Sequence, residues 1–220
     1  MNPSDIKFPI RLLIYFLGMI SICLGIVLCK RCNLGISPIS SIPYVLEYVL
    51  PVSFGVLTMF YHFFNTLLQI VISRKITAML LAQFAFGAVF GQIINLFQRL
   101  LNFEATRLPF QLLLLAMSVF FTALGMVLML GMKLVQNPPD GFVHLVSEKL
   151  RKEVGTIKII YDICCVALSL TISFVCLGQF KGFGLATIVS ALCVGRLVTI
   201  LNPVFLPLFE KLPLKKETLL

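Results

Sequence analysis

Asn137-Pro138-Pro139-Asp140-Gly141 lies between two long apolar segments and interrupts them. Two consecutive prolines remove two backbone donors and hold φ at about −65°, while the glycine tolerates backbone angles that other residues avoid. Proline also suits the first turn of a helix, where the N–H groups have no intrahelical partner. Because apolar and charged residues then recur at helical spacing, a short helix is predicted over 139–152.

The same kind of break occurs about 100 residues earlier, at Gly35-Ile36-Ser37-Pro38-Ile39-Ser40-Ser41. The apolar residues that follow predict a second short helix over 38–50. That helix cannot cross a bilayer, because a span needs about 20 residues. A long segment, a break and a short helix therefore occur twice, and we interpret the rest of the chain around these two breaks.

The composition is typical of a membrane protein. Of the 220 residues, 59% are hydrophobic and 12% are charged, whereas a soluble domain carries about 25% charged residues. The net charge of +9 is explained by Lys and Arg in loops on the cytoplasmic side of the bilayer. We therefore expect a lipid bilayer around the chain and no nucleic-acid partner.

Six apolar runs are predicted to cross the bilayer, over about 12–29, 54–73, 77–98, 109–132, 156–178 and 184–202. If both termini are cytoplasmic, twelve Lys and Arg lie on that side, five lie on the other, and Arg196 lies within the sixth span. The twelve are Lys7, Arg11, Arg74, Lys75, Lys133, Lys149, Arg151, Lys152, Lys158, Lys211, Lys215 and Lys216. This bias predicts a multi-pass protein of the cell (inner) membrane with cytoplasmic N and C termini.

The two halves of the chain, 1–104 and 105–220, resemble each other. Gly25 and Tyr61 of the first half recur as Gly125 and Tyr161 of the second, in similar apolar surroundings. Each half has three spans, with a short helix after the first, and an odd number of crossings inverts one half relative to the other. The predicted fold is an all-α polytopic protein with six transmembrane helices in two inverted three-helix repeats, the plan of many secondary transporters. Chance similarity between apolar segments is the alternative.

Three short motifs carry a resemblance to a known family. They are Leu34-Gly35-Ile36-Ser37-Pro38, Asn137-Pro138-Pro139-Asp140-Gly141 and Gly182-Phe183-Gly184-Leu185-Ala186-Thr187. With Gln83 and Phe86-Gly87 they resemble the YczE/YitT-like family of small bacterial integral membrane proteins, over nearly the whole chain. That family often carries an acid after the first-half proline, where this chain has Ile39-Ser40-Ser41. Because the family is largely uncharacterised, the resemblance implies an architecture more than an activity.

The two breaks together predict a binding site. Short helices entering from opposite sides bring helix N-termini toward the interior, where N–H groups attract negative charge. The predicted site binds a small organic solute, anionic or zwitterionic, and protonation of its one acid, Asp140, is a route to proton coupling. Capping alone is the alternative, because Ser37 and Asn137 are good N-cap residues. The predicted solute-binding residues are Ser37, Pro38, Ser40, Ser41, Asn137, Pro139, Asp140 and Gly141.

Four further polar residues within the spans are predicted to serve coupling or gating. Asp162 and Arg196 each lie about 9 Å from the cytoplasmic face, at 1.5 Å of rise per residue. An ion pair is the least costly way to keep both charges in a bilayer, so these two are predicted to pair, either structurally or as a gate. The repeat makes His62 and Gln92 their counterparts near the outer face.

No catalytic or metal-binding motif stands out in the sequence. We find no phosphate-binding loop, no nucleophile with a supporting base and no zinc signature, so no enzyme, cofactor or metal is predicted. Cys29 and Cys32 form a CxxC without a second pair or nearby histidine, and ordinary interfacial cysteines are favoured over a redox pair. The predicted function is a small secondary transporter. A non-transporting accessory factor for a partner enzyme or complex is the alternative, and a homodimer stays open.

Overall fold

The computed structural model describes the backbone of residues 3–211 and the side chains of residues 8–205. The side chains of Lys7, Lys211, Lys215 and Lys216, which were counted for orientation, lie outside that range. Within it the chain is all-helical. The helices are α1 (Pro3–Arg31), α2 (Ser41–Val49), α3 (Phe54–Ser73), α4 (Ala78–Leu100), α5 (Leu108–Met132), α6 (Pro138–Leu150), α7 (Val154–Leu177) and α8 (Leu185–Lys211), with a 3₁₀ turn at Pro38–Ser40.

Six of these helices are long and apolar enough to cross a membrane. The six candidate spans within these helices are Phe8–Arg31, Phe54–Ser73, Ala78–Leu100, Leu108–Met132, Val154–Leu177 and Leu185–Phe205. The prediction of an all-α chain with six candidate spans is therefore confirmed. The two short helices, α2 and α6, each follow a break after a long one, α1 and α5 respectively.

The two breaks are built from the same backbone conformations. Asn33 and Lys133 adopt left-handed conformations, with φ of 55° and 50°, and turn the chain out of α1 and α5. Ser37 and Asn137 are then near extended, with φ/ψ of −60°/148° and −58°/127°. Each of these two precedes a proline, which disfavours the helical region for the residue before it. The prolines thus fix where each short helix can begin.

Helices α1 and α5 form the most extensive helix–helix interface among the described residues. A Cβ on Gly125 would lie 2.4 Å from the carbonyl oxygen of Gly18, and a Cβ on Gly25 would lie 2.8 Å from that of Ser118. The Ser21 hydroxyl donates to the Phe121 carbonyl at 2.8 Å. Small residues of this kind let helices approach within a bilayer, where no hydrophobic force drives helix association.

The remaining helices are arranged crosswise around this pair. The short helix α2 packs on α7, while the short helix α6 packs on α3. Helices α3 and α4 pack closely along their length, with Gly55 and Gly91 in mutual backbone contact. Helix α8 packs on α5, but α7 and α8 form no interface comparable to that of α3 and α4. In this respect the two halves of the chain differ.

Two helix ends differ from the predicted spans. Helix α1 begins at Pro3 and contains Pro9, whereas the first span was predicted to begin near residue 12. Helix α8 runs through Pro203 to Lys211, whereas the sixth span was predicted to end near residue 202. Proline is read as a helix stop in water, but a helix in a membrane tolerates it where neighbouring groups satisfy the freed carbonyls.

Candidate functional site

A cavity of about 180 Å³ lies between the two breaks and is lined by residues from both halves of the chain. Most of its lining is apolar, including Ile22, Ile26 and Phe90. Five of the eight predicted solute-binding residues line it, namely Ser37, Pro38, Ser40, Asn137 and Asp140. The other three, Ser41, Pro139 and Gly141, are buried beside the breaks and do not line the cavity.

Asp140 is held in the cavity wall by its neighbour Asn137. The Nδ2 of Asn137 donates to Oδ2 of Asp140 at 2.8 Å. The Oδ1 of Asn137 is buried and has no hydrogen-bond partner in the part of the chain that the structure describes. Asn137 and Ser37 occupy N-cap positions, yet neither side chain caps its helix. The break therefore presents a carboxylate and an unpaired amide oxygen side by side, both of them acceptors.

The second charged group at the cavity is an ion pair within α7. The Lys158 Nζ lies 2.6 Å from Oδ1 of Asp162, and both residues line the cavity. The predicted pair of Asp162 with Arg196 is therefore wrong. Arg196 is exposed on α8, and among the described residues it forms no ion pair.

Equal depth did not bring Asp162 and Arg196 together, because the rotation of each helix about its axis also decides which side chains meet. Gln92, another residue predicted for coupling, is exposed on α4 and does not line the cavity. Lys158 was missed as a site residue. Its signal was the four-residue spacing to Asp162, which places two side chains on the same helix face.

His62 lies on the cavity wall with its ring among aromatic side chains. It is 2% exposed, and its ring stacks on Phe86 and lies 4.8 Å from the Phe90 ring, centroid to centroid. Its Nδ1 is buried without a hydrogen-bond partner among the described residues. Buried polar atoms are nearly always hydrogen-bonded. The Nδ1 of His62 is therefore an unsatisfied polar atom on a residue that lines the cavity.

A chain of hydroxyl and amide groups joins α3 to α7 beside the cavity. The hydroxyls of Tyr61 and Tyr161 lie 2.5 Å apart, and Tyr161 donates to Oδ1 of Asn65 at 2.7 Å. The Tyr61 hydroxyl also lies 3.2 Å from the Cys165 sulfur. The sequence marked Tyr61 and Tyr161 as repeat equivalents, but it did not indicate that the two side chains touch.

The residues beside the breaks that do not line the cavity hold the breaks in place. The amide of Gln69 donates to the Pro138 carbonyl at 3.0 Å and to Oε1 of Gln83 at 2.8 Å. Gly141 packs directly on these two amides, since a Cβ there would lie 2.8 Å from Oε1 of Gln69. The Ser41 hydroxyl donates to the Pro38 carbonyl at 2.6 Å within the first break, and it lies 3.3 Å from the Cys165 carbonyl of α7.

Cys29 and Cys32 are free thiols, both buried at the end of α1. The Cys32 thiol donates to the Cys29 carbonyl at 2.9 Å. Between residues 8 and 205, no group of three or more His, Cys, Asp or Glu side chains is arranged to hold a metal ion.

Comparison with known proteins yields one match. Residues 9–203 match the model of a family of unknown function, DUF6198, so the match includes both breaks and nearly all of the helical core. No curated protein and no solved structure matches the chain.

Proposed function

The chain belongs to the DUF6198 family of unknown function, and from its own cavity we propose that it is a small secondary transporter for a zwitterionic organic solute. The observation that carries this proposal is the unpaired Oδ1 of Asn137 beside the Asp140 carboxylate, at the break that lines the cavity. An amide oxygen without a donor, next to a carboxylate whose only donor among the described residues is Asn137, suits an ammonium group, which carries three donors and no acceptor.

The charges of the cavity favour a zwitterion over the anion that the helix ends alone suggest. Two acids, Asp140 and Asp162, and one cation, Lys158, line the cavity, so the formal charge of the lining is negative. An anion is disfavoured there, whereas a zwitterion can direct its ammonium group to Asp140 and Asn137. Its carboxylate can then approach Lys158 and the hydroxyl groups of the first break.

The size of the cavity limits the solute. Sites for drug-sized ligands have volumes of roughly 300–1,000 Å³, and this cavity of about 180 Å³ is smaller. Its apolar residues suit a short aliphatic body between the charged groups of the solute. We therefore infer a solute of the size of an amino acid or a betaine.

Contacts between repeat equivalents support the inverted-repeat part of the proposal. Ser21 bonds to Phe121, and Tyr61 lies against Tyr161, in each case at a separation of 100 residues. A residue meets its own equivalent only near a two-fold axis. Helix α2 packs on α7, and its equivalent α6 packs on α3, the equivalent of α7. The two interfaces therefore correspond to each other under the repeat. The resemblance to YczE/YitT-like proteins agrees with this plan, which places solute at the repeat interface.

Proton coupling is the remaining part of the proposal. The titratable groups that line the cavity are Asp140, Asp162, Lys158, His62 and Tyr61. Movement of a proton on or off Asp140 would change its attraction for an ammonium group. Substrate binding and proton binding would then compete at one carboxylate.

Solute binding can be tested by thermal unfolding of the purified protein. We expect zwitterionic amino acids or betaines to raise the unfolding temperature, because ligand that binds the folded state stabilises it. Carboxylic acids that lack the amine should have no such effect. In Asp140→Asn we expect affinity to fall at least about tenfold, since a hydrogen bond to a charged group contributes roughly 1.5–3 kcal/mol.

Glu148→Gln is the matched control, because it removes an exposed acid from the same helix, α6. It should bind like the wild type. The positive solute should then be taken up by proteoliposomes in a manner that depends on Asp140. The transporter proposal fails if no zwitterion binds the wild type. It also fails if amine-free acids bind Asp140→Asn as well as zwitterions bind the wild type. The accessory-factor alternative then becomes the better one.

Orientation can be tested by cysteine labelling of a variant that lacks the seven native cysteines. Thr106 and Lys75 are both exposed, in the connections before α5 and before α4. From the charge bias we expect Thr106→Cys to react with an impermeant maleimide in intact cells, and Lys75→Cys to react only after permeabilisation. The reverse pattern would show that the termini are not cytoplasmic.

A further inference from the structure

A second pocket, of about 400 Å³, opens at the end of the bundle where α1 and α4 end and α3 begins. Its lining is almost entirely polar and consists of Arg31, Ser53, Asn95, Gln98, Arg99 and Asn102. Two guanidinium groups and three amides thus converge without a carboxylate among them. Glu104, in the loop that follows, is exposed and is not part of the lining.

The donors of this pocket outnumber the acceptors that the protein supplies. Arg31 donates through Nη2 to the Gln98 carbonyl at 2.8 Å, but its Nε is buried and has no partner among residues 8–205. Neither Arg31 nor Arg99 forms an ion pair within that range. The nearby acid Glu47 is already engaged by Lys30 and by the backbone N–H of Phe54.

The amides of the pocket have the same bias. The Oε1 of Gln98 accepts from Lys30 at 2.8 Å, and the Oδ1 of Asn95 accepts from the backbone N–H of Gly55 at 3.1 Å. The oxygens of these two amides are therefore occupied, whereas the Nε2 of Gln98 is buried without an acceptor in the described chain. The Nε of Arg31 and the Nε2 of Gln98 are thus donors without an acceptor, while the amide oxygens beside them are already occupied. This pattern indicates a binding site for an anion.

We propose that this pocket binds a phosphate group. Guanidinium groups match the paired oxygens of phosphate in geometry and keep their charge at any physiological pH. Two arginines without an ion pair can neutralise the charge of one phosphate group. The pocket lies at a helix-end boundary, where the side chains of Leu96 and Leu100, next to Arg99, are 54% and 67% exposed. The phosphate can therefore belong to a lipid headgroup or be free in solution.

The test measures phosphate binding to the purified full chain in two arms. The first arm titrates inorganic phosphate against chloride at equal ionic strength and follows thermal unfolding. The second compares phosphatidylglycerol with diacylglycerol, which lacks the phosphate, by native mass spectrometry of the protein in mixed micelles. We expect the phosphate-bearing probe to bind in at least one arm, and Arg99→Gln to weaken that binding by at least about tenfold.

Arg107→Gln is the matched control, because it removes an exposed arginine close in sequence that does not line the pocket. Arg99 is itself exposed, so its replacement leaves the core intact. Binding of phosphatidylglycerol alone identifies a headgroup site, and binding of inorganic phosphate identifies a site for free phosphate. The proposal is overturned if neither probe binds the wild type, or if Arg107→Gln weakens binding as much as Arg99→Gln.

Discussion

Replacing Gly125 with alanine should lower the free energy of unfolding by about 3 kcal/mol or more, the upper end of the cost of overpacking. The added Cβ would lie 2.4 Å from the Gly18 carbonyl oxygen and 2.8 Å from the backbone nitrogen of Ile22. Backbone atoms cannot swing away as a flexible side chain can, so α1 and α5 would have to separate. For a chain of this length we expect the unfolding temperature to fall on the order of 10 °C.

Gly155→Ala is the control for Gly125→Ala. Gly155 lies in α7, and a Cβ there would meet no atom within 4 Å. Since alanine favours a helix over glycine by up to about 1 kcal/mol, the control should be neutral or slightly stabilising. Equal unfolding temperatures for the two variants would mean that α1 and α5 do not approach this closely.

Lys158→Gln should lower stability by about 3 kcal/mol, because it leaves the Asp162 carboxylate without its counter-charge at the cavity wall. The two side chains are 30% and 15% exposed, which places the pair near the lower end of the roughly 3–5 kcal/mol found for breaking a buried pair. Adding Asp162→Asn to Lys158→Gln removes both charges, and we expect it to restore most of the loss. Thermal unfolding of the two single variants and the double variant measures the coupling.

The control for this cycle is Arg196→Gln. Arg196 is the partner that depth alone predicts for Asp162, but it is exposed on α8, so its replacement should change stability by less than about 0.5 kcal/mol. The assignment of the pair fails if Arg196→Gln destabilises the protein as Lys158→Gln does. It also fails if the double variant is as unstable as the sum of its singles.

The long helices and both breaks were predictable because their signals are local. A run of about 20 apolar residues indicates a span whatever surrounds it, and the residue before Pro38 or Pro138 must be extended whatever follows. The same local rules ended the predicted sixth span near Pro203, where the helix in fact continues. A proline rule takes no account of the bilayer or of neighbouring helices, and a helix surrounded by them tolerates proline.

The site was predictable only in part, because its side chains are selected by helix rotation. Helices that are apolar all round carry no periodic signal that tells which face is buried. The sequence therefore could not separate His62 and Tyr61, which line the cavity, from Gln92, which is exposed. The second pocket was missed for a related reason, since Arg31 and Arg99 belong to different helices and line one pocket only after these pack.

The close pairing of α1 with α5 also has a consequence for the order of assembly. Ser21 and Phe121 bond across a separation of 100 residues, and the glycine contacts on either side of them have similar separations. Contacts this distant in the chain form late, because the intervening loop must close first. The glycines of α1 can therefore meet their partners on α5 only after about 100 further residues have been synthesised.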